Sequence, residues 1–212
     1  TATASALLIG ITLITMATVG ASTGSATQER AMDRKFPSDL TVQAPTGLSD
    51  AIIDRIRTIP GVVGAEKVLE TGANIGTSEG IPVLGMDPRT RDVLRFPAYI
   101  DGLADDTIIV PKDMKIVAGS NVVVVGDKGT VTLRAIVLPV SPEEPVMTLA
   151  NVQRISSITV AQAWLKLTDT KNPDAKVAAI TNELQDVQGV RVSGGIIERQ
   201  VIQQILNIVL GV

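Results

Sequence analysis

Ala51-Ile52-Ile53-Asp54-Arg55-Ile56-Arg57-Thr58-Ile59-Pro60-Gly61-Val62 lies without a gap over Ala179-Ile180-Thr181-Asn182-Glu183-Leu184-Gln185-Asp186-Val187-Gln188-Gly189-Val190. Both copies read as a helix that ends at a glycine and leads into a strand. Apolar residues recur at helical spacing in each: Leu48, Ile52, Ile56 and Ile59 in the first, Val177, Ile180, Leu184 and Val187 in the second. Gly61 and Gly189 stand where a left-handed residue would stop a helix. Asn172 followed by Pro173 marks the start of the second helix, a cap with proline at the first helical position. Thr46 is a weaker candidate cap for the first.

Outward from the repeat, a strand-like run precedes each helix, Asp39–Ala44 in the first unit and Thr159–Leu167 in the second. Another follows each, Val62–Val68 and Val190–Ser193. Two βαβ units with right-handed crossovers can interleave their strands into one sheet with both helices on the same face. The expected fold is therefore α+β, a split-βαβ, ferredoxin-like sandwich.

From about residue 70 to 158 the texture changes to short strand-like runs, Ile81–Met86, Thr107–Val110, Asn121–Val125 and Thr130–Val137. Gly126-Asp127-Lys128-Gly129 has the chemistry of a four-residue hairpin loop. Val131, Leu133, Ala135 and Val137 alternate with more polar neighbours, so one face of that strand should be buried. This stretch is expected to form an inserted β-rich subdomain, with a short helix over Arg89–Leu94 on its edge.

The two ends of the chain are apolar. Thr1 to Gln28 carries no charged side chain and includes Leu7, Leu8, Ile9, Ile11, Leu13, Ile14, Met16 and Val19. A hydrocarbon core needs roughly 20 mostly apolar helical residues to cross, so this segment is expected to be membrane-embedded. A cleaved signal peptide is the alternative, but no basic segment precedes the run. After Arg199 the chain is again uncharged and includes Ile205, Leu206, Ile208, Val209 and Leu210, expected to open a second membrane helix. The plainer alternative there is an amphipathic core helix with Val201, Ile205, Ile208 and Val212 on one stripe. One helix from Thr3 to Phe36 would be about 50 Å long and would stand about 20 Å clear of the hydrocarbon. The protruding Gln28–Lys35 mixes charges and stops before Pro37, as the residue ahead of a proline should. It reads either as a rigid lever or as a solvated connector.

Composition excludes whole classes of chemistry. The chain has no His and no Cys, so zinc sites, thiol nucleophiles, disulfides and His-based acid/base pairs are absent from its repertoire. A net charge of −3 with both signs interspersed gives no basic footprint for nucleic acid. Phe36, Phe96, Tyr99 and Trp164 are too few and scattered for a stacking platform. Asp101, Asp105 and Asp106 cluster, but not at the spacing of an EF-hand loop, and read as a solvated acidic turn. Gly72, Gly76 and Gly80 recur without the Gly-Lys-Ser/Thr of a phosphate loop and read as a flexible β-connection. Glu143-Glu144, between Pro142 and Pro145, reads as an exposed loop. No catalytic, cofactor or metal residue is assigned.

With strand, helix, inserted β-rich lobe and second βαβ unit between two apolar ends, the chain resembles the extracytoplasmic domain of the MacB/FtsX family of ABC transporter permeases. Thr3–Leu13 is similar to the membrane helix that opens one half of duplicated actinobacterial members. Phe36-Pro37-Ser38-Asp39-Leu40-Thr41-Val42 is similar to their first strand, and Ile59-Pro60-Gly61-Val62 to the turn after the helix. Thr107–Val110 followed by Val117-Ala118-Gly119-Ser120-Asn121-Val122-Val123 resembles a strand and turn of the inserted lobe. Ser120 is a departure, since members often carry Asp there.

The resemblance implies a transmembrane and stalk helix over 1–36, a porter-like body split into 37–69 and 159–195, the β-rich subdomain at 70–158, and a second stalk or membrane helix from 196 to 212. It further implies a non-enzymatic part of a permease in the bacterial cell membrane, facing the extracytoplasmic side. The implied partners are an ABC ATPase subunit, bound through other parts of the permease, and an extracellular protein, peptide or lipid cargo. Arg30, Arg34 and Lys35 run against the positive-inside rule for an external segment, so orientation rests on the resemblance. The residues themselves leave open a membrane-tethered binding or adhesion domain with no transport cycle.

Overall fold

The computed structural model describes residues 36–170 and 172–201. The residues expected above to be membrane-embedded and the Gln28–Lys35 segment lie outside the described residues. Among the described residues, no helix is long and apolar enough to cross a membrane.

The two repeat copies build one half of the molecule. β1 (Leu40–Gln43), α1 (Asp50–Arg57) and the start of β2 (Val62–Ile75) form the first unit. β8 (Val160–Leu167), α3 (Pro173–Glu183) and β9 (Arg191–Ser193) form the second. Their strands interleave in the order β2-β8-β1-β9, every neighbour antiparallel. That is the split-βαβ arrangement, in which β8 separates the two parallel strands of the first unit and β1 those of the second. Leu40, Val42, Ala163 and Leu165 from the sheet meet Ile53 and Ile56 of α1 and Ile180 and Leu184 of the second helical segment in one core.

The helix ends differ from the sequence reading in an instructive way. α1 is capped by Ser49, whose hydroxyl accepts from the Ile52 N–H, because Thr46 is spent in a turn with Gly47 at φ +74° that closes β1. Neither helix stops at its glycine. α1 ends at Arg57 with Thr58 as its C-cap and α3 at Glu183 with Leu184 as its C-cap, each followed by a further tight turn, and Gly61 (φ +93°) and Gly189 (φ +73°) make the last bend into the following strand. Asn172 occupies the cap position of α3 without a side-chain capping bond, leaving Pro173 as the start signal.

The inserted lobe is not a separate sheet. β2 is 14 residues long and runs from the first half into the second. There it pairs with β3 (Ser78–Met86) on one edge and β5 (Asn121–Val125) on the other. β7 (Val146–Thr148) and β4 (Thr107–Ile109) connect β3 to β6 (Thr130–Ile136), which pairs with β5. The ladder thus closes on itself as β2-β3-β7-β4-β6-β5, and closure removes free edges from that lobe. Its interior holds Leu69, Ile75, Val83, Ile108, Val124 and Leu133, capped by Val152 and Ile155 of α2 (Leu149–Ile155). Gly126–Gly129 is the expected hairpin loop, with the Gly126 N–H donating to the Gly129 carbonyl at 2.9 Å. Gly72, Gly76 and Gly80 belong to the β2–β3 hairpin, Gly76 turning it at φ +59°. At the departure noted above, Gly119 takes φ +82° and the Ser120 hydroxyl donates to the Val117 carbonyl at 2.7 Å, so the turn forms with Ser.

Residues 88–103 leave the ring and lie across the outer face of the shared sheet. The expected helix over Arg89–Leu94 is a 3₁₀ turn, Pro88–Asp92, and a second follows at Pro97–Ile100. Val93, Leu94, Tyr99 and Ile100 from this strap cover Val68, Met86 and Trp164. Arg95 fastens it: its N–H donates to the Pro37 carbonyl at 2.8 Å and its Nη1 to Asp39 Oδ1 at 3.2 Å. Asp39 in turn accepts from the Leu167 N–H at 3.0 Å.

Candidate functional site

Two places in this body are candidates, the point where the chain enters and leaves it and the cleft between its halves. At the first, Gly194 crosses over the start of β1. A side chain there would place its Cβ 2.5 Å from the Asp39 carbonyl oxygen and 2.7 Å from Leu40 Cα, so glycine is required by backbone approach as well as by φ +149°. A Cβ on Gly195 would stand 3.0 Å from Phe36 Cβ. Residues 36 and 195 are therefore side by side. A helix begins at 195 and runs through 201, the last described residue. Its Ile196 is buried in the core shared by both repeat helices, and Gln200 donates to Asp174 in the first turn of α3 at 3.1 Å. The segment leaving the body is thus rooted in the same apolar core as the repeat helices.

Those helices are tied to each other by Arg55. Its two Nη atoms reach both carboxylate oxygens of Asp186 at 2.9 and 2.7 Å, and Glu183 Oε1 lies 3.4 Å from Nε. The fork holds the Asp186 carboxyl down at about 2, chiefly through the side-chain hydrogen bond from Arg55. Sequence reasoning missed this contact, although Arg55 and Glu183 occupy equal positions of the repeat and equal positions meet across the pseudo-twofold of a split-βαβ fold.

The cleft, of about 890 Å³, opens between α1 and β2 on one wall and Asp87–Arg89, Ala104–Asp105 and α2 on the other. Its charges are satisfied within each wall. Arg57 pairs with Asp54 at 2.6 Å and with Glu66 at 3.4 Å, Lys67 with Asp50 at 2.9 Å, and Arg89 with Asp87 at 3.0 Å. Hydrogen bonds from the Arg89 side chain and backbone hold the Asp87 carboxyl below its ordinary range. Arg57 Nε also donates to the Ala65 carbonyl at 2.7 Å, blunting the part of β2 that β3 does not cover.

The remaining acidic candidates are structural. Asp101 meets Arg91 at 3.0 Å, Asp106 meets Arg134 at 3.4 Å, and Asp105 accepts from the Thr148 hydroxyl at 2.8 Å, which fastens the acidic turn to the strap, β6 and β7. Among the described residues no group of three or more metal-ligating side chains comes together. The Glu143-Glu144 segment is less exposed than its sequence suggested. Pro142 and Pro145 are buried and Glu144 is half-buried, with its carboxyl pushed above the usual range first by that burial and then by Glu70 and Glu143.

No family model and no curated protein matches the chain. Solved structures do. The periplasmic region of MacB from Actinobacillus actinomycetemcomitans superposes with a TM-score of 0.50 at 12% identity, over 81% of this chain and 95% of that one. The extracellular domain of YknZ, an ABC-type transporter from Gram-positive bacteria, gives 0.49 at 13% identity, over 74% of this chain and 99% of that one. The α+β body, with its split repeat and β-rich insertion, has the fold of the periplasmic region of MacB.

Proposed function

We propose that the chain is the extracytoplasmic domain of an ABC transporter permease in the bacterial cell membrane, coupling ATP hydrolysis by a separate subunit to export or to mechanical signalling. The observation that carries the proposal is the placement of residues 36 and 195 side by side on the split-repeat core. Segments attached there act on one rigid body at one point, so relative movement of the two would tilt the body instead of stretching it. In this reading 1–36 and 196–212 are membrane and stalk helices, with Leu7, Leu8, Ile9, Ile11, Leu13, Ile14, Met16 and Val19 in lipid at one end. Ile205, Leu206, Ile208, Val209 and Leu210 enter it at the other. The body comprises 37–69 with 159–195 and the insertion 70–158, and it carries no catalytic group of its own.

The test is a distance measurement. A spin label on Val63 or Val117, both exposed (60% and 73%), is paired with one on the extracytoplasmic body of the other permease half in the intact permease reconstituted with its nucleotide-binding subunit. Labels on the bodies of two permease halves should change separation between nucleotide-free and ATP-trapped states. An unchanged distribution through the cycle would instead assign a tethered binding or adhesion module.

A further inference from the structure

The strap over the outer face of the sheet stops at Val68, Leu84, Met86 and Trp164 and leaves the next stretch of that face bare. A groove of about 340 Å³ lies there, within the range of ligand sites, with Glu70, Gly72, Gly80, Pro82, Ile158 and Val160 among its lining. Ile158 is 75% and Val160 41% exposed, aliphatic surface that the fold does not cover. A Cβ added at Gly72 or Gly80 would meet no atom within 4 Å, so the floor is open backbone. Gly80, at φ +62°, is required by its backbone, but Gly72 is not, and a glycine inside a strand weakens it, so its use at 72 fits a surface that another chain approaches closely.

The charge beside the groove is uncompensated. Asp50, Asp54, Glu66, Asp87, Asp101, Asp106 and Asp186 each meet a Lys or Arg. Among the described residues Glu70, Glu143 and Glu144 have no such partner, as Glu79, Asp92, Asp113 and Asp127 also have none, but these three lie together, with Glu70 and Glu143 both acting on Glu144. An unpaired carboxylate bordering bare aliphatic surface is complementary to a cation carried next to an apolar side chain.

We infer that this groove is a docking surface for an extended peptide segment of a protein partner, which lays an aliphatic side chain over Gly72 between Ile158 and Pro82 and sets a Lys or Arg against Glu70. The inference rests on the proposed outward display of the body for access, not for its chemistry. It is tested on the full chain in nanodiscs, without nucleotide or ATPase, by titration calorimetry with acetyl-Leu-Lys-Val-Lys-Leu-amide and its Glu-for-Lys counterpart. The Lys peptide should bind at least tenfold more tightly, and more weakly as salt rises. Glu70→Gln should remove about tenfold of that affinity, and so should Gly72→Val, which fills the floor with a side chain that strands favour and so leaves folding intact. Equal binding of the two peptides, no binding of either, or full affinity in Gly72→Val with an unchanged melting temperature would overturn the inference. A body that captures the peptide yet stays still through the nucleotide cycle would overturn the coupling proposal alone.

Discussion

Asp39 shows how much one side chain decides here. It is 8% exposed, accepts from the Leu167 N–H and receives Arg95 from the strap. Asp39→Ala would take the acceptor from the Leu167 N–H and one partner from the half-buried Arg95, so it should cost about 2 kcal/mol, read as a lowered urea midpoint with unchanged slope. Glu144 works in the opposite direction. Its carboxyl is raised in the folded state, so the ionised form is disfavoured there, and the group's contribution to stability falls as pH rises through the shifted value. Glu144→Gln should therefore raise the melting temperature at pH 7, with the gain fading below pH about 4; an equal gain at both would remove the burial argument. Neither residue could be found from sequence. Asp39 and Arg95 are 56 positions apart, and Glu144 sits in a proline-flanked pair whose local composition looks like solvent-exposed loop.

The elements were legible where a local period carries the signal. The repeat helices, the flanking strands and the hairpin at Gly126–Gly129 follow from spacing and turn chemistry alone, because those patterns are written within about a dozen residues. β7 and α2 were not legible. β7 has 3 residues, its parallel partner β3 is distant in sequence, and α2 has only 7 residues, two turns with little periodicity to read. The helix stops were misplaced for a related reason, since a positive-φ glycine marks a sharp bend without saying whether the helix or a later turn uses it. The repeat itself makes the strongest demand. Ile56 (0% exposed) and Leu184 (1%) are equal positions of the two copies and meet the same core. Ile56→Asp and Leu184→Asp should each cost several kcal/mol by burying an unpaired charge, and should do so to a similar degree. Two variants that melt like the parent would break the paired-repeat account.

At the scale of the molecule, the feature that sequence could not show is that both halves share a strand. The insertion looks like a separate subdomain because its texture differs, yet its ring closes on the far half of β2, whose near half pairs with β8. Closure depends on which edges meet, and edge pairing leaves no local trace in composition. The candidate site was legible to a similar extent: the composition removed His- and Cys-based chemistry, while the juxtaposition of residues 36 and 195 and the bare groove emerged only from the packing. The shared strand has a thermodynamic consequence. Unfolding the insertion alone would strip β3 and β5 from β2, and the strap that covers Trp164 would lose Leu84, Met86 and Val146 beneath it. Neither half can therefore open without exposing the core of the other. Trp164 is the sole tryptophan and sits under that strap, so its fluorescence reports the junction while far-UV circular dichroism reports the whole sheet. In urea the two signals should give one coincident transition with a common midpoint. Separate midpoints, with tryptophan exposure preceding loss of sheet, would mean that the halves are independent domains joined by a strand that frays between them.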